Sequence, residues 1–373
     1  MKPMRAAIIV GKMDSGGKKN LIMEYYRHID RDKIQFDFIC DSDSQVIPEQ
    51  EITNLGGRVY RITPYQHIFQ NMTDMMRIFK QNQYKVVHAY NSTMNLFPMA
   101  VAKHCKVPVR ISESLSMAHE DDWKTILKKM LRPMSKWFAN YYMACGVDCG
   151  RWQFGNKLFD AGKVDVFKTA INTEFNAYDP AVREKTRAEF GWSDKTVIGH
   201  IGRFTEQKNS VRMIEIFGAV AKKESNAILC LIGDGDLKED MMKKIDELGI
   251  KKQVAYLGRR EDIQQFYNAM DCFLLPSLYE GLPVVGLEAE SCGLPMFFST
   301  EVTREANACE LGHFIALDDG NDVWAEQILK ACKENMPVRR SHAKEVAAAG
   351  FDSASEAPRM QKYYLEAVEK ETK

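Results

Sequence analysis

The sequence predicts an α/β protein built from two doubly wound parallel-sheet domains in tandem. Three observations carry this. Short apolar segments alternate with segments of helix length through the first half, the alternation halts in a turn-rich stretch, and it then starts again. A length of 373 residues suits two domains, and an apolar content of 45% can fill two cores.

Taken in order, "RAAIIV" reads as a buried strand, followed by a glycine turn and the helix "KKNLIMEYYRHI". The strand "QFDFIC", the helix "FQNMTDMMRIFKQNQ", the strand "KVVHAY", the helix "NLFPMAVAKHC" and the strand "PVRIS" continue the series. Short apolar strands between helices are the pattern of parallel β-α-β units with both sheet faces covered. The pause falls in "VFKTAINTEFNAYDPAVREKTRAEFG", whose turn residues and charge read as a linker. After it come the strand "TVIGHIG", the helix "SVRMIEIFGAVAKK", the strand "AILCLIG" and the helix "LKEDMMKKIDELG". "VAYLG", "IQQFYNAM", "CFLLPS", "PVVGLEAESCG" and "MFFST" complete the second series. The expected boundaries are a first domain at 1–170, a linker at 171–194, a second domain at 195–350 and a C-terminal helix at 351–373 that packs back on the first domain. In such folds ligands bind at the carboxyl ends of the strands, and two facing domains place a cleft between them.

A formal net charge of zero argues against bulk polyanion binding, so no nucleic-acid partner is expected. The halves differ: residues 1–165 carry a net +7 and the remainder −7, so the first half either faces something anionic or is simply a solvated surface. The nine cysteines are scattered without a C-x-x-C, which disfavours a metal or disulfide framework and fits buried thiols in a reducing cytosol. No signal peptide is read at the start, and no apolar run approaches the roughly 20 residues that span a bilayer. The expectation is a cytoplasmic protein, free or lying on the inner face of the membrane.

Four stretches have the make-up of ligand loops. "VGKMDSGGKKN" puts Gly16 and Gly17 between a strand and a helix, where exposed N–H groups suit an anion, although a plain tight turn explains them equally. It lacks the lysine placement of a P-loop and the G-x-G-x-x-G spacing. "IGHIGRFTEQKNS" sets Gly202, Arg203 and Lys208 after a strand end, a guanidinium fork and a point charge for phosphate. "LIGDGDL" puts Gly233 at another strand end, where a ligand can approach the backbone or the chain simply turns.

The fourth stretch, "YEGLPVVGLE", is the most telling. Glu280 stands in the loop and Glu288 within the helix that follows, with Pro283 placed at its first position. The N–H groups of Gly281, Leu282 and Val284, with Pro283 between them, mark a helix N-terminus, an anion site flanked by two carboxylates. A helix cap and a solvated face are the bland readings of the two glutamates. A diphosphate flanked by hydroxyls accounts for both the N–H groups and the carboxylates.

These residues resemble a family 4 glycosyltransferase of the GT-B fold, two Rossmann-like domains facing each other across a cleft. "GRFTEQKN", "LIGDGDL", "VAYLGRREDI" and "CFLLPSLYEGLPVVGLEAESCGLP" carry the resemblance in the second domain, the last with the family's glutamate–seven–glutamate spacing. "SGGKKNLIMEYYRHIDRDKIQFDFI" and "ACGVDCGRWQFG" resemble the capsular and exopolysaccharide branch. The resemblance implies a retaining, metal-independent transfer from a nucleotide-diphosphate sugar, most naturally a UDP-sugar, with no separate cofactor. It implies a lipid-linked or oligosaccharide acceptor in surface polysaccharide synthesis. Carried over, Arg203 and Lys208 hold the diphosphate, Glu280 the donor sugar and Glu288 the ribose, while Gly233 and the Leu257–Arg259 stretch border the base.

Two departures stand out. The loop after "VPVRI" usually carries histidines in this branch, but here it reads "SESLS", with Glu113 and Leu115 at those places. Glu113 is then the candidate for an acceptor hydroxyl, with His88 and His119 as nearby alternatives to lost histidines. The pair after Gly17 is usually small then acidic, and here it is Lys18 and Lys19. These departures motivate an alternative function, a non-catalytic nucleotide-sugar-binding partner of another glycosyltransferase. Finally, Trp123–Phe138 interleaves apolar residues with five cations, which reads either as a core-facing helix with solvated lysines or as a peripheral membrane contact.

Overall fold

The computed structural model describes residues 2–14, 17–115, 128–335 and 338–373. They form two compact units, Met1–Ala170 together with Ser353–Lys373, and Ile171–Asp352.

In the first unit the described strands are β1 (Met4–Gly11), β2 (Ile34–Asp41), β3 (Arg58–Ile62), β4 (Val86–Ala89), β5 (Val109–Ser114), β6 (Tyr141–Ala144) and β7 (Val164–Val166). They form one sheet in the order β3-β2-β1-β4-β5-β6-β7, every pairing parallel. Side chains alternate across a strand, and β1 shows both faces at work. Ala6, Ile8 and Val10 pack under α1 (Gly17–His28) and the C-terminal helix Ser353–Thr372, through Leu21, Ile22, Tyr25, Met360 and Tyr364. Ala7 and Ile9 face α2 (Ile68–Asn82) and α3 (Leu96–His104), through Met75, Ile78, Phe79 and Met99. Strands covered on both faces have no use for polar alternation, which is why they read as continuous apolar runs.

The segment 171–194, read as a linker, is instead folded into the second unit. Its α4 (Pro180–Glu189) is capped by Asp179, whose carboxylate accepts from Ala181 N at 2.8 Å. Sequence reasoning missed what fastens this helix. Arg183 and Arg187 both reach Asp271, which is buried, and Asp271 Oδ2 also accepts from Val197 N at 2.7 Å. Arg183 Nη1 donates to Met270 O at 2.7 Å and Arg187 Nη1 to Ala269 O at 2.7 Å. Those carbonyls close a helix, where the backbone carries partial negative charge.

The second sheet runs β10-β9-β8-β11-β12-β13. Its strands are β8 (Thr196–Ile201), β9 (Ala227–Ile232), β10 (Val254–Tyr256), β11 (Cys272–Leu275), β12 (Met296–Ser299) and β13 (Gly312–Ile315), again all parallel. The helices α5 (Ser210–Lys223), α6 (Lys238–Glu247), α7 (Ile263–Ala269), α8 (Val284–Ser291) and α9 (Asn321–Asn335) cover it. Phe217, Ile245 and Trp324 fill one face, and Phe266, Tyr267, Phe273 and Phe298 the other. The order reverses between β8 and β11, the kind of switch point at which such sheets bind ligands.

Candidate functional site

Four loops meet at the carboxyl ends of β8 to β11, and backbone contacts draw three of them together. Gly202 N donates to Ile232 O at 3.0 Å, Phe204 N to Asp234 O at 3.0 Å and Gly233 N to Gly258 O at 2.8 Å. Gly233 has φ +141°, and a Cβ there would lie 1.8 Å from Gly202 O, so only glycine permits this approach. The sequence left Gly233 open between ligand access and a plain turn. Its first structural duty is to let two strand-end loops touch.

Lys208 follows in the β8 loop. Its Nζ lies 2.6 Å from Glu280 Oε1, and both side chains are largely buried. Ser277 Oγ donates to Glu280 Oε1 at 2.8 Å, while Gln207 Nε2 donates to Tyr279 O at 3.2 Å. Leu278 N donates to Gln207 O at 2.8 Å, which ties the β8 and β11 loops at the pair. An ammonium has three donors, so a contact with Glu280 leaves Lys208 able to reach phosphate oxygens as well. Arg203 stands exposed on the same loop, while Phe204 beside it is fully buried and anchors the turn.

Glu280 is followed by an exposed Gly281, where a Cβ would meet nothing within 4 Å. Pro283 is the residue before α8 rather than its first turn, with extended backbone at φ −72°, ψ 102°. The shift of one position leaves the N-terminus of α8 beside Glu280, as the spacing implied. Glu288 lies one turn in, nearly buried, and accepts from Tyr267 Oη at 2.7 Å. Glu290, two residues on, accepts instead from Ala308 N at 3.0 Å and Cys309 N at 2.5 Å, a structural role. Leu257 is half-buried, and Arg259 is exposed with Nε 3.8 Å from Asp234 Oδ2, so both border the same loops.

Beneath this site lies His200, which is fully buried. Its Nδ1 is 2.9 Å from Leu274 O, so the proton sits on Nδ1 and Nε2 is an acceptor with no protein partner among the described residues. Burial pushes the imidazole down to about 4, and the Lys208 ammonium adds to this. An unfolded histidine takes its proton near pH 6.5 and the folded one does not, so the unfolded state binds more protons between these values. The second unit is therefore expected to lose stability as pH falls from about 6.5 toward 4. Asp41 in the first unit is raised to about 6 by burial and titrates in the opposite sense, so the test compares slopes. Denaturation midpoints of His200→Phe should fall less over this range than those of the unaltered protein, and equal slopes would refute the assignment.

In the first unit the candidates lie differently. Gly16 and His119 lie outside the described residues, as does Trp123–Leu127 of the basic amphipathic segment. Gly17 opens α1 and is exposed. Lys18, in the family's small position, turns inward, donating to Val10 O at 2.5 Å and Asn91 Oδ1 at 3.1 Å. Glu113 requires a correction: it does not face an open surface. It is 1% exposed, with Oε2 2.8 Å from His88 Nε2, and His88 Nδ1 is 2.5 Å from the Tyr364 hydroxyl of the C-terminal helix. The pair is sealed under that helix, where an acceptor hydroxyl has no access. His88, fully buried in the same cluster, is equally removed from an acceptor.

Residues 182–346 match the family model of Glycosyl transferases group 1. The sequence is 28% identical, over 98% of each chain, to EpsF of Bacillus subtilis (strain 168), which carries the name of a glycosyltransferase. It is 25% identical over 62% of this chain and 61% of the other to the UDP-Gal:alpha-D-GlcNAc-diphosphoundecaprenol alpha-1,3-galactosyltransferase of Escherichia coli. Its structure is similar to that of HepE from Anabaena, solved in complex with UDP-glucose, with a TM-score of 0.77 at 18% identity over 98% of this chain and 100% of that one. That likeness establishes a shared fold, GT-B. Residues 182–346 thus match the group 1 glycosyltransferases, in line with the family 4 resemblance read from the sequence.

Proposed function

We propose that the chain transfers a sugar from a UDP-sugar to a lipid-linked or oligosaccharide acceptor in surface polysaccharide synthesis, with retention at the anomeric carbon and without a divalent metal. One observation carries the reading: Lys208 and Glu280 meet at 2.6 Å beside the N-terminus of α8, inside which Glu288 lies. A cation, a row of helix-end N–H groups and two carboxylates match a diphosphate with hydroxyl-bearing groups on both sides. Lys208, Arg203 and the N–H groups of Gly281, Leu282 and Val284 take the diphosphate. Glu280 accepts from hydroxyls of the donor sugar and Glu288 from the ribose, while Gly202, Gly233, Leu257 and Arg259 border the nucleotide. As the glycosidic bond breaks, charge grows on the leaving diphosphate, and the two cations with the helix dipole stabilise it in the place of a metal ion.

The donor assignment draws support from the UDP-glucose bound to HepE. The acceptor assignment draws support from the diphosphoundecaprenol in the name of the E. coli relative. Peripheral membrane contact draws support from Met130 and Trp137, 67% and 59% exposed, which stand among Lys128, Lys129, Arg132 and Lys136. Among the described residues no helix is long and apolar enough to cross a membrane.

Incubation with a panel of nucleotide sugars, with and without membranes and with a chelator present, tests the proposal. Donor turnover from a UDP-sugar is expected, and none from any donor would overturn it. The burial of Glu113 favours a second reading, a nucleotide-sugar-binding partner that performs no transfer. It predicts UDP binding without turnover and co-purification with an active transferase.

A further inference from the structure

We propose that Tyr267 is a positioning residue for nucleotide recognition: its buried hydroxyl fixes the Glu288 carboxylate in the orientation that accepts the ribose hydroxyls of a nucleoside diphosphate. The inference rests on the reading of Glu288 given above and deepens it.

Tyr267 lies in α7 and Glu288 in α8, 21 positions apart, and a hydroxyl–carboxylate hydrogen bond of 2.7 Å joins them. The tyrosine is fully buried and held at several points. Its ring lies 5.9 Å from that of Phe273, and its carbonyl accepts from Arg339 Nη2 at 2.9 Å. Arg339 also donates to Met270 O at 2.6 Å and stacks over Tyr178, 4.2 Å from the ring centroid. The hydroxyl therefore presents itself from a fixed frame. A glutamate has three side-chain torsions, and holding them in one arrangement costs rotamer freedom. A donor fixed in the core meets that cost before the ligand arrives, which is how preorganisation raises affinity.

The chemistry also sets the kind of ligand. Burial, and after it the Glu288 charge, raises the Tyr267 hydroxyl well above its ordinary value, so it remains a donor throughout the working pH range. The carboxylate accepts a hydrogen bond from the phenol and stays an acceptor toward the site. It thus selects partners that bring their own hydrogens, such as the hydroxyls of a ribose, and repels a phosphorylated ribose. A glutamine at 288 would carry donors toward these same hydroxyls and blur the selection.

The test is calorimetric titration of the full chain with UDP and with 2′,3′-dideoxyuridine diphosphate, which keeps the base and the phosphates and lacks both hydroxyls. The unaltered protein should prefer UDP. Tyr267→Phe, which removes one oxygen and keeps the ring, should weaken UDP by about tenfold, the size of one hydrogen bond to a charged group. Its affinity for the dideoxy analogue should stay within about twofold, on the same hydrogen-bond arithmetic. In a Glu288→Gln background, adding Tyr267→Phe should cost nothing more, since the tyrosine acts through the carboxylate. Equal weakening of both ligands would show a merely structural tyrosine and overturn the proposal, as would full additivity of the two substitutions. If Glu288→Gln abolishes the preference and Tyr267→Phe retains it, the inference fails and the ribose assignment survives. If the unaltered protein does not prefer UDP, the ribose assignment fails and takes the inference with it.

Discussion

Replacing Glu280 by glutamine is expected to lower turnover by about a hundredfold, the value of a charge-assisted hydrogen bond realised on the reacting sugar. The substitution changes almost no volume. Ser277 Oγ can still donate to the remaining carbonyl oxygen, so the loop should keep its shape. What changes is charge. Lys208, 2.6 Å away, loses its counter-ion, and an amide nitrogen replaces one acceptor toward the sugar. Single-turnover kinetics with a saturating donor would separate this from weakened binding, because an interaction that strengthens in the transition state lowers kcat more than it raises KM. Thermal unfolding run alongside should show a midpoint within a few degrees of the parent. A glutamine variant that turns over at the parental rate would remove Glu280 from the donor site.

A larger effect on stability is expected at Asp271, which precedes β11 at the end opposite the Glu280 loop. Asp271→Ala leaves Arg183 and Arg187 without their carboxylate and deprives Val197 N of its acceptor, all in a buried setting. Breaking a buried ion pair from one side costs about 3–5 kcal/mol, because the charge left behind has no water to solvate it. For a unit of this size that corresponds to a fall in the unfolding midpoint on the order of 10 °C. Asp271→Asn keeps an acceptor for Val197 N and should fall between the two. A midpoint for the alanine variant unchanged within about 2 °C would mean that α4 is held by packing and the backbone carbonyls alone.

Much of the candidate site was legible because its chemistry is local in sequence. Glu280, Pro283 and Glu288 lie within one loop and one helix, so the spacing alone placed a carboxylate before a helix start and another one turn inside it. Lys208 could be named as a cation after a strand. Its contact with Glu280 could not, because it depends on β8 and β11 being neighbours in the sheet. Tyr267 and His200 escaped notice for the same reason. Each reads as an ordinary core residue until the fold sets its polar atom against another segment. The linker was misread because "NAYDPAVREKTR" is polar in composition, while its arginines are spent on the carbonyls at the end of α7. Glu113 was misjudged for a different reason. The sequence put it just after a strand, in a ligand loop, whereas it lies inside β5, and the Tyr364 end of the chain, 251 positions away, closes over it.

The C-terminal helix has a consequence for synthesis. The first unit needs Ala357, Met360, Tyr364 and Ala367 to complete the core over Ile8, Ile22 and Tyr25. Yet the chain makes the whole second unit, about 180 residues, before it makes that helix. At ribosomal rates this is a wait on the order of ten to forty seconds. Through that interval α1 covers only its share of that face of the first sheet and the share of the C-terminal helix stays bare, while the second unit already has every segment it needs. The order of completion is thus the reverse of the order of translation, and the half of the protein made first is the last to close its core.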